Sequence, residues 1–327
     1  MKTVINAFIY LIAVLAFFIY VGKSVTDLTG GERREEPAAA ALTPEWGETI
    51  FFGKGRCFTC HSVGDEGSSV RGPNLGIFGE KFSEPIGLRA ARRAKERSAN
   101  TGEEYRAADY LVESLAAPSA YLVEGYKDEM AKVFAPPIAL SLEEMKGVIL
   151  YLQSQGGEPD IEALQNPSAL SKRFYSRIAA ASEAGGGDPE KGALVFEDNC
   201  RPCHRTGGGG GTIGPDLSSV GFKGVKFLST SIQRPAEAIA KGYETFLVIN
   251  KEGRQFAGVK RGGSGGTVDI VTAKGEALHF SKDEIAEMRE DKNRSLMPED
   301  FMDGLTVREY QDLLAYLLIQ KDQNQGD

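Results

Sequence analysis

Cysteine and histidine are scarce in this sequence of 327 residues, which contains four cysteines and three histidines. All four cysteines fall in two short runs, so a scatter of structural thiols is excluded. No catalytic triad, phosphate-binding loop or flavin motif is visible, and the glycine-rich stretch at 207–211 follows a histidine rather than a strand. Basic residues are outnumbered, with 38 Lys and Arg against 46 Asp and Glu. This balance argues against a nucleic-acid partner, because phosphate binding needs a basic surface.

The two cysteine runs have the same form, Cys-x-x-Cys-His, at 57–61 and at 200–204. Two disulfides would suit an exported protein but need no histidine, and a zinc site would need the fold to bring both pairs together. Covalent attachment of haem needs two thiols for the vinyl groups and an adjacent imidazole for the iron. The sequence therefore predicts two covalently attached haem c groups, held by Cys57, Cys60 and His61 and by Cys200, Cys203 and His204.

The sequence around the first run is repeated around the second. A glycine and a phenylalanine precede each run, a Gly-Pro-x-Leu segment follows it, and a helix with a capping box ends each half. Apolar residues recur at helical spacing in both final helices. The repeated features are Gly47 and Phe51, 72–75, and Ser141 with Glu144 in the first half, and Gly192 and Phe196, 214–217, and Thr306 with Glu309 in the second.

The length and the repeat predict two domains behind an N-terminal segment. Residues 4–21 are mostly apolar and just long enough to cross a bilayer core. Residues 21–24 make a poor cleavage site, which favours an uncleaved anchor over a cleaved signal peptide. The predicted organisation is a transmembrane anchor at 1–22, a linker at 23–44, a first domain at 45–156, a linker at 157–187 and a second domain at 188–321.

Both halves resemble class I cytochrome c domains, which combine an N-terminal helix, the Cys-x-x-Cys-His run, the Gly-Pro-x-Leu segment, a late methionine and a C-terminal helix. The resemblance implies a mainly α fold class with two cytochrome c-like helical domains, to which the apolar N-terminus adds a transmembrane helix. It also implies that His61 and His204 bind iron and donate hydrogen bonds to the carbonyl groups of Pro73 and Pro215.

The second half departs from the simple cytochrome c pattern between about residues 243 and 281. There, alternating residues and glycine-rich turns predict four or five short strands. This stretch is similar to the small β insert in the haem-binding C-terminal domain of large bacterial multidomain cytochromes, which precedes a Ser-Leu-Met-Pro segment, here at 295–298. One hypothesis treats the insert as a docking module for a partner protein.

The sixth iron ligand separates an electron carrier from a reactive centre. Position in the family implies Met130 for the first haem and Met297 for the second, because each lies shortly before a capped final helix. Met145 and Met288 are interpreted as packing residues of helices, and Met302 is a competitor of Met297.

Ligation by histidine and methionine fills both axial positions and favours one-electron transfer over reaction with peroxide or oxygen. The main hypothesis is a membrane-anchored dihaem cytochrome c of the bacterial inner membrane. Its haem domains are expected on the periplasmic side, because haem attachment takes place outside the cytoplasm.

The expected partners are the lipid bilayer, the subunits of a respiratory or photosynthetic complex (a quinol-oxidising complex or a terminal oxidase) and a soluble or membrane-bound redox partner. By itself the chain is not expected to be an enzyme; the alternatives are a dihaem peroxidase-like enzyme and a free membrane-tethered electron shuttle.

Two further features each allow two interpretations. The basic run at 89–97 is either a solvated helix face or a docking patch for an acidic partner or for lipid phosphates. His279, the spare histidine, lies in an alternating stretch, where a structural role fits better than iron binding.

Overall fold

The described part of the chain forms two similar groups of helices, called the first and second frames below, and a five-stranded antiparallel sheet. The structure is a computed structural model that describes residues 42–322, together with Asn6 and Val14. The residues from Thr43 onward form one compact unit by their contacts. Both frames and the sheet belong to this unit.

The first frame surrounds the run at 57–61. Its elements are α1 (Pro44–Phe52), a 3₁₀ turn (Cys57–Thr59), β1 (Ser62–Val63), β2 (Glu66–Gly67), α2 (Ile86–Thr101), α3 (Ala107–Ala116), a second 3₁₀ turn (Pro118–Ala120) and α4 (Leu142–Ser154). Thr43 caps α1, because its hydroxyl accepts a hydrogen bond from the N–H of Trp46. The capping box of Ser141 and Glu144 begins α4, as the sequence predicts.

Helices α1 and α4 cross at two glycines. A Cβ on Gly47 would overlap the carbonyl group of Gly147, so the two backbones can meet only where neither residue carries a side chain. One turn further along, the ring centroids of Phe51 and Tyr151 are 5.5 Å apart, and both side chains are buried. This crossing fixes the first helix of the frame against its last.

Two helices follow the first frame in sequence: α5 (Ile161–Gln165) and α6 (Ala169–Glu183). Phe174 and Ile178 are buried on one side of α6. The buried carboxylate of Asp109, on α3, accepts hydrogen bonds from Ser168 Oγ at 2.5 Å and Ser171 Oγ at 2.6 Å. Polar contacts therefore join the start of α6 to the first frame.

The second frame repeats the first around the run at 200–204. Its elements are α7 (Pro189–Asn199), β3 (Arg205–Thr206), β4 (Gly209–Gly210), a 3₁₀ turn (Val220–Lys223), α8 (Gly224–Gln233), a 3₁₀ turn (Phe301–Gly304) and α9 (Val307–Leu318). Helices α7 and α9 cross where Gly192 lies against the carbonyl group of Asp312. The rings of Phe196 and Tyr316 are 5.3 Å apart, like their counterparts in the first frame. The repeat in the sequence is thus a repeat in the structure.

A five-stranded antiparallel sheet lies between α8 and the end of the second frame. Its elements are β5 (Thr245–Asn250), β6 (Gln255–Gly262), β7 (Thr267–Val271), β8 (Ala277–Ser281), a 3₁₀ turn (Lys282–Glu284) and β9 (Ile285–Glu290). The strand order is β8-β7-β6-β5-β9, so the first and last strands of the sheet are neighbours. Val248, Val268, Ile270 and Phe280 form its small buried core.

The sheet corrects the predicted fold class. Strands make up 14% of the described residues and helices 42%, so the prediction of a mainly α fold with two cytochrome c-like helical domains is wrong. The sequence predicts that the insert ends near residue 281, but the sheet continues through β9. Met288, predicted to pack in a helix, lies on β9 opposite Val248. The residues of β9 include good helix formers, and pairing with β5 overrides that preference.

The predicted fold class also includes a transmembrane helix. None of the helices within 42–322 is long and apolar enough to cross a membrane. The predicted anchor at 1–22 lies outside the described residues apart from Asn6 and Val14, as does most of the linker predicted at 23–44.

Candidate functional site

Both Cys-x-x-Cys-His runs fold into the same tight turn. In the first run, the N–H groups of Cys60 and His61 both donate to the carbonyl oxygen of Cys57, at 3.1 and 2.9 Å. The run at 200–204 repeats both hydrogen bonds at the same two distances. Each turn therefore presents two thiols and one imidazole from five consecutive residues.

The four cysteines are free thiols. Burial raises the pKa of the Cys57 thiol to about 12, and it raises the pKa of Cys200 to about 12 as well. Both thiols are therefore protonated at neutral pH, unlike the thiolate of a reactive cysteine. In the part of the chain that the structure describes, no three His, Cys, Asp or Glu side chains are grouped so that they could hold a metal ion. In this structure the four cysteines are thus not paired in disulfides, and the two runs are not brought together.

A proline carbonyl orients the histidine of each run. His61 Nδ1 donates to Pro73 O at 2.9 Å, and His204 Nδ1 donates to Pro215 O at 2.8 Å, as the resemblance implies. Because a carbonyl oxygen only accepts, Nδ1 carries the proton and Nε2 keeps its lone pair. Burial lowers the pKa of both imidazoles, and the charge of Arg89 lowers the pKa of His61 further. Each site thus offers a neutral imidazole with one nitrogen available for iron.

Glycine precedes each of these prolines because the backbone lies against the imidazole ring. A Cβ on Gly72 would be 2.5 Å from His61 Cε1, and a Cβ on Gly214 would overlap the ring of His204 in the same way. The N–H of Gly72 also donates to the carbonyl oxygen of Cys60 at 2.9 Å. The Gly-Pro-x-Leu segments therefore hold the two histidines by direct contact as well as by a hydrogen bond.

The residues present at both sites fit haem c. Two thiols beside a neutral imidazole are the donors that covalent attachment uses. Large apolar side chains that follow or precede the Gly-Pro segments closely in sequence are exposed, at Val70, Ile77 and Phe222, and a flat apolar macrocycle would cover such side chains. The buried Nε of Arg89 has no hydrogen-bond partner, although Nη2 of the same side chain donates to Asn74 O at 2.5 Å. An anionic propionate suits that unpaired donor.

The two predicted methionine ligands both lie in irregular segments, and both are half-buried. The carbonyl oxygen of Met130 accepts a hydrogen bond from Arg308 Nη1 at 3.3 Å. Met297 packs against the core of the second frame, and its N–H donates to Ser295 Oγ at 3.1 Å. Met302 packs against the same core. Ligation of iron by Met130 and Met297 stays a prediction.

The basic run at 89–97 lies on α2 and takes part in packing within the first frame. The guanidinium carbon of Arg93 lies 3.9 Å from the ring centroid of Tyr121, and Arg97 pairs with the buried carboxylate of Glu113 at 2.5 Å. These contacts use the charges internally, which favours a structural role over a docking patch.

His279 lies on β8 with 73% of its side chain exposed. Its Nδ1 is 2.8 Å from Asp269 Oδ1, on the neighbouring strand β7. This position on the surface of the sheet agrees with a structural role.

The sequence does not mark three polar side chains as functional that the structure places in contact with site segments: Arg89, Arg308 and Gln311. Gln311 is fully buried on α9, among the apolar residues of its packed face. A glutamine at a buried position of the helical repeat is the signal that could have revealed it. Arg89 was visible only as one member of the basic run.

No protein-family model matches this chain, and a search of curated proteins finds no similar sequence. The interpretation of the two sites therefore depends on their own geometry. That geometry fits covalent haem attachment at 57–61 and again at 200–204.

Proposed function

We propose that this chain is a dihaem cytochrome c that transfers single electrons as a subunit of a larger electron-transfer complex. One observation carries the proposal: a half-buried histidine follows two free thiols at both sites and donates to a proline carbonyl, at 2.9 Å from His61 and 2.8 Å from His204. Haem c attachment uses every part of this arrangement, whereas a disulfide, a zinc site or a thiolate nucleophile uses only some of it.

Bound haem c supplies reversible one-electron chemistry at its iron. The cysteine pairs of the two runs would hold it through thioether bonds. His61 and His204 would bind the iron through Nε2, because the hydrogen bond from Nδ1 fixes both the tautomer and the plane of each ring. Met130 and Met297 would supply the remaining ligand of each iron, which would favour electron transfer over reaction with peroxide or oxygen.

The proposed location is the periplasmic side of the bacterial inner membrane, because thioether formation with haem takes place outside the cytoplasm. The proposed partners are the subunits of a quinol-oxidising complex or a terminal oxidase, together with a soluble or membrane-bound redox partner. The formal charge of −8 fits partners that present a basic docking face.

Expression in a bacterium that attaches c-type haems tests the proposal. The purified chain should carry two haems that stay attached after denaturation. The paired variants Cys57→Ala with Cys60→Ala and Cys200→Ala with Cys203→Ala should each retain one haem, as counted from the spectrum of the pyridine complex. The control His279→Ala should retain both, since this side chain is exposed on the sheet.

A wild-type chain that passes through the same export route and carries no covalent haem would contradict the proposal. A high-spin ferric haem that reacts with peroxide would instead favour the peroxidase-like enzyme. Gentle solubilisation through a tag on the chain, followed by identification of the proteins that come with it, tests the proposed place in a membrane complex.

A further inference from the structure

The segment that carries Met130 is held by a helix of the other frame. This segment comprises residues 128–136. Gln311, which lies on α9 and is fully buried, contacts its backbone. Gln311 Oε1 accepts a hydrogen bond from the N–H of Lys132 at 3.1 Å. Its Nε2 donates to the carbonyl oxygens of Lys132 at 2.8 Å and Pro136 at 3.1 Å. A buried amide that uses both of its ends on one segment fixes the course of that backbone.

A second residue of α9 reaches Met130 itself. Arg308 Nη1 donates to the carbonyl oxygen of Met130 at 3.3 Å and lies 3.9 Å from Asp128 Oδ1. Arg308 and Gln311 are three residues apart, so both project from one side of the helix. The first turns of α9 therefore contact the segment at Met130 and again at Lys132.

The same segment is also joined to the Gly-Pro segment of its own frame. Glu129 Oε2 lies 3.3 Å from Arg71 Nε, and Arg71 immediately precedes Gly72 and Pro73. Met130 thus stands between one contact to the segment that orients His61 and a second set of contacts to α9. The chain is therefore contacted both before Met130, at Glu129, and after it, at Lys132.

The equivalent residues of α4 have a different partner. The capping boxes align Thr306 with Ser141, so the positions of α4 that correspond to Arg308 and Gln311 are Glu143 and Lys146. Those two residues pair with each other, with 2.7 Å between Lys146 Nζ and Glu143 Oε1. The repeat alone therefore does not account for the contacts that α9 makes.

We infer that Gln311 and Arg308 are positioning residues for Met130, so that the last helix of the second frame keeps the sixth ligand of the first haem in place. The role rests on the proposed function, because Met130 can be held for iron only if haem is attached at 57–61. A segment ordered in advance loses less conformational freedom when its thioether binds iron than a free loop would. The first haem site should therefore depend on a residue of the second frame.

The test compares Gln311→Leu with Lys146→Leu, which change equivalent positions of α9 and α4, in the haem-loaded full chain. Three quantities are measured: the far-red charge-transfer band of methionine-ligated ferric haem, the two reduction potentials, and the hydrogen exchange of residues 128–136. Gln311→Leu should remove about half of the band, lower one of the two potentials and speed exchange at 128–136. Lys146→Leu should change none of the three.

A double-mutant cycle with Met130→Ala separates positioning from a general structural effect. Met130→Ala alone should lower one potential, and adding Gln311→Leu should lower it no further. A further shift as large as that of Gln311→Leu alone would overturn the positioning role, because the effect would then not pass through the methionine.

Arg308→Gln serves as a milder variant in case Gln311→Leu does not fold. The side chain of Arg308 is 21% exposed and lies outside the core cluster of the second frame. It should weaken the same band, and Arg308→Lys should restore part of it. If the chain carries two haems and Met130→Ala shifts a potential while neither Gln311→Leu nor Arg308→Gln does, the positioning role is wrong and the proposed function stands. If no haem is attached, both are wrong.

Discussion

The backbone of Gly192 lies against the carbonyl group of Asp312 where α7 crosses α9, and no space remains there for a side chain on the glycine. Gly192→Ala should lower the free energy of unfolding by about 1–3 kcal/mol, because the added methyl group forces two packed backbones apart. This cost outweighs the gain of up to about 1 kcal/mol that alanine brings to a helix. Chemical denaturation measures the difference. Gly304→Ala is the control, since no neighbouring atom lies within 4 Å of its Cβ position. If Gly304→Ala lowers the free energy of unfolding equally, the loss in Gly192→Ala does not come from the close packing of α7 against α9.

The assignment of Met297 is open to direct test. Met297→Ala should convert one ferric haem to the high-spin form and lower its reduction potential, because loss of the thioether leaves an open axial position. Absorption spectroscopy and redox titration measure the two effects. Met302→Ala is the matched control, since Met302 packs against the same core. If Met302→Ala gives the high-spin haem and Met297→Ala does not, Met302 is the ligand.

Asp109 joins α3 to the start of α6. Its buried carboxylate accepts hydrogen bonds from Ser168 Oγ at 2.5 Å and Ser171 Oγ at 2.6 Å. Asp109→Ala should lower the free energy of unfolding by about 1–3 kcal/mol, because the buried hydroxyl of Ser171 and the half-buried hydroxyl of Ser168 lose their acceptor. Asp65→Ala, at an exposed position, should change it by less than about 0.5 kcal/mol in the same denaturation experiment. If Asp65→Ala lowers the free energy of unfolding as much as Asp109→Ala does, the loss does not come from the buried hydrogen bonds.

The capping carboxylate of Glu309 makes stability depend on pH. Hydrogen bonds from the N–H and hydroxyl of Thr306 lower the pKa of Glu309 below its ordinary value of 4.5. The folded chain then binds this proton less well than the unfolded chain, so the stabilisation is complete above pH 4.5 and is lost as the pH falls through the lowered pKa. Glu309→Gln should therefore lower the melting temperature at neutral pH. The difference in melting temperature between this variant and the wild type, called the gap below, should become smaller in acid.

Thermal unfolding of the wild-type chain and Glu309→Gln, followed from neutral to acidic pH, measures this gap. Glu299→Gln, at an exposed position outside the capping box, provides the matched control and should follow the wild type at every pH. A gap between Glu309→Gln and the wild type that stays constant with pH would show that the cap stabilises the helix without titrating.

The features that the sequence predicts well are local. A capping box joins residues three positions apart, so Ser141 with Glu144 and Thr306 with Glu309 can be identified by spacing alone, and the structure has both. The hydrogen bond from His61 to Pro73 joins residues of one loop, and the resemblance to class I cytochrome c domains implies it.

The features that the sequence does not predict depend on distant partners. Strand β9 contains residues that favour a helix, and only its pairing with β5 makes it a strand. The contacts between Gln311 and Lys132 join two frames whose relation no local pattern reveals. The role of Arg89 depends on an unpaired buried nitrogen, which is visible only once the backbone around it is placed.

The two ends of the five-stranded sheet meet, because its first strand, β5, is a neighbour of its last, β9. Where the chain leaves the sheet, the N–H of Asp291 donates to the carbonyl oxygen of Thr245 at 2.8 Å, beside the point where the chain enters. An insertion with adjacent ends can be gained or lost by recombination without moving the residues on either side of it. The helices of the second half can therefore keep the arrangement found in the first, even though only the second carries the five-stranded sheet.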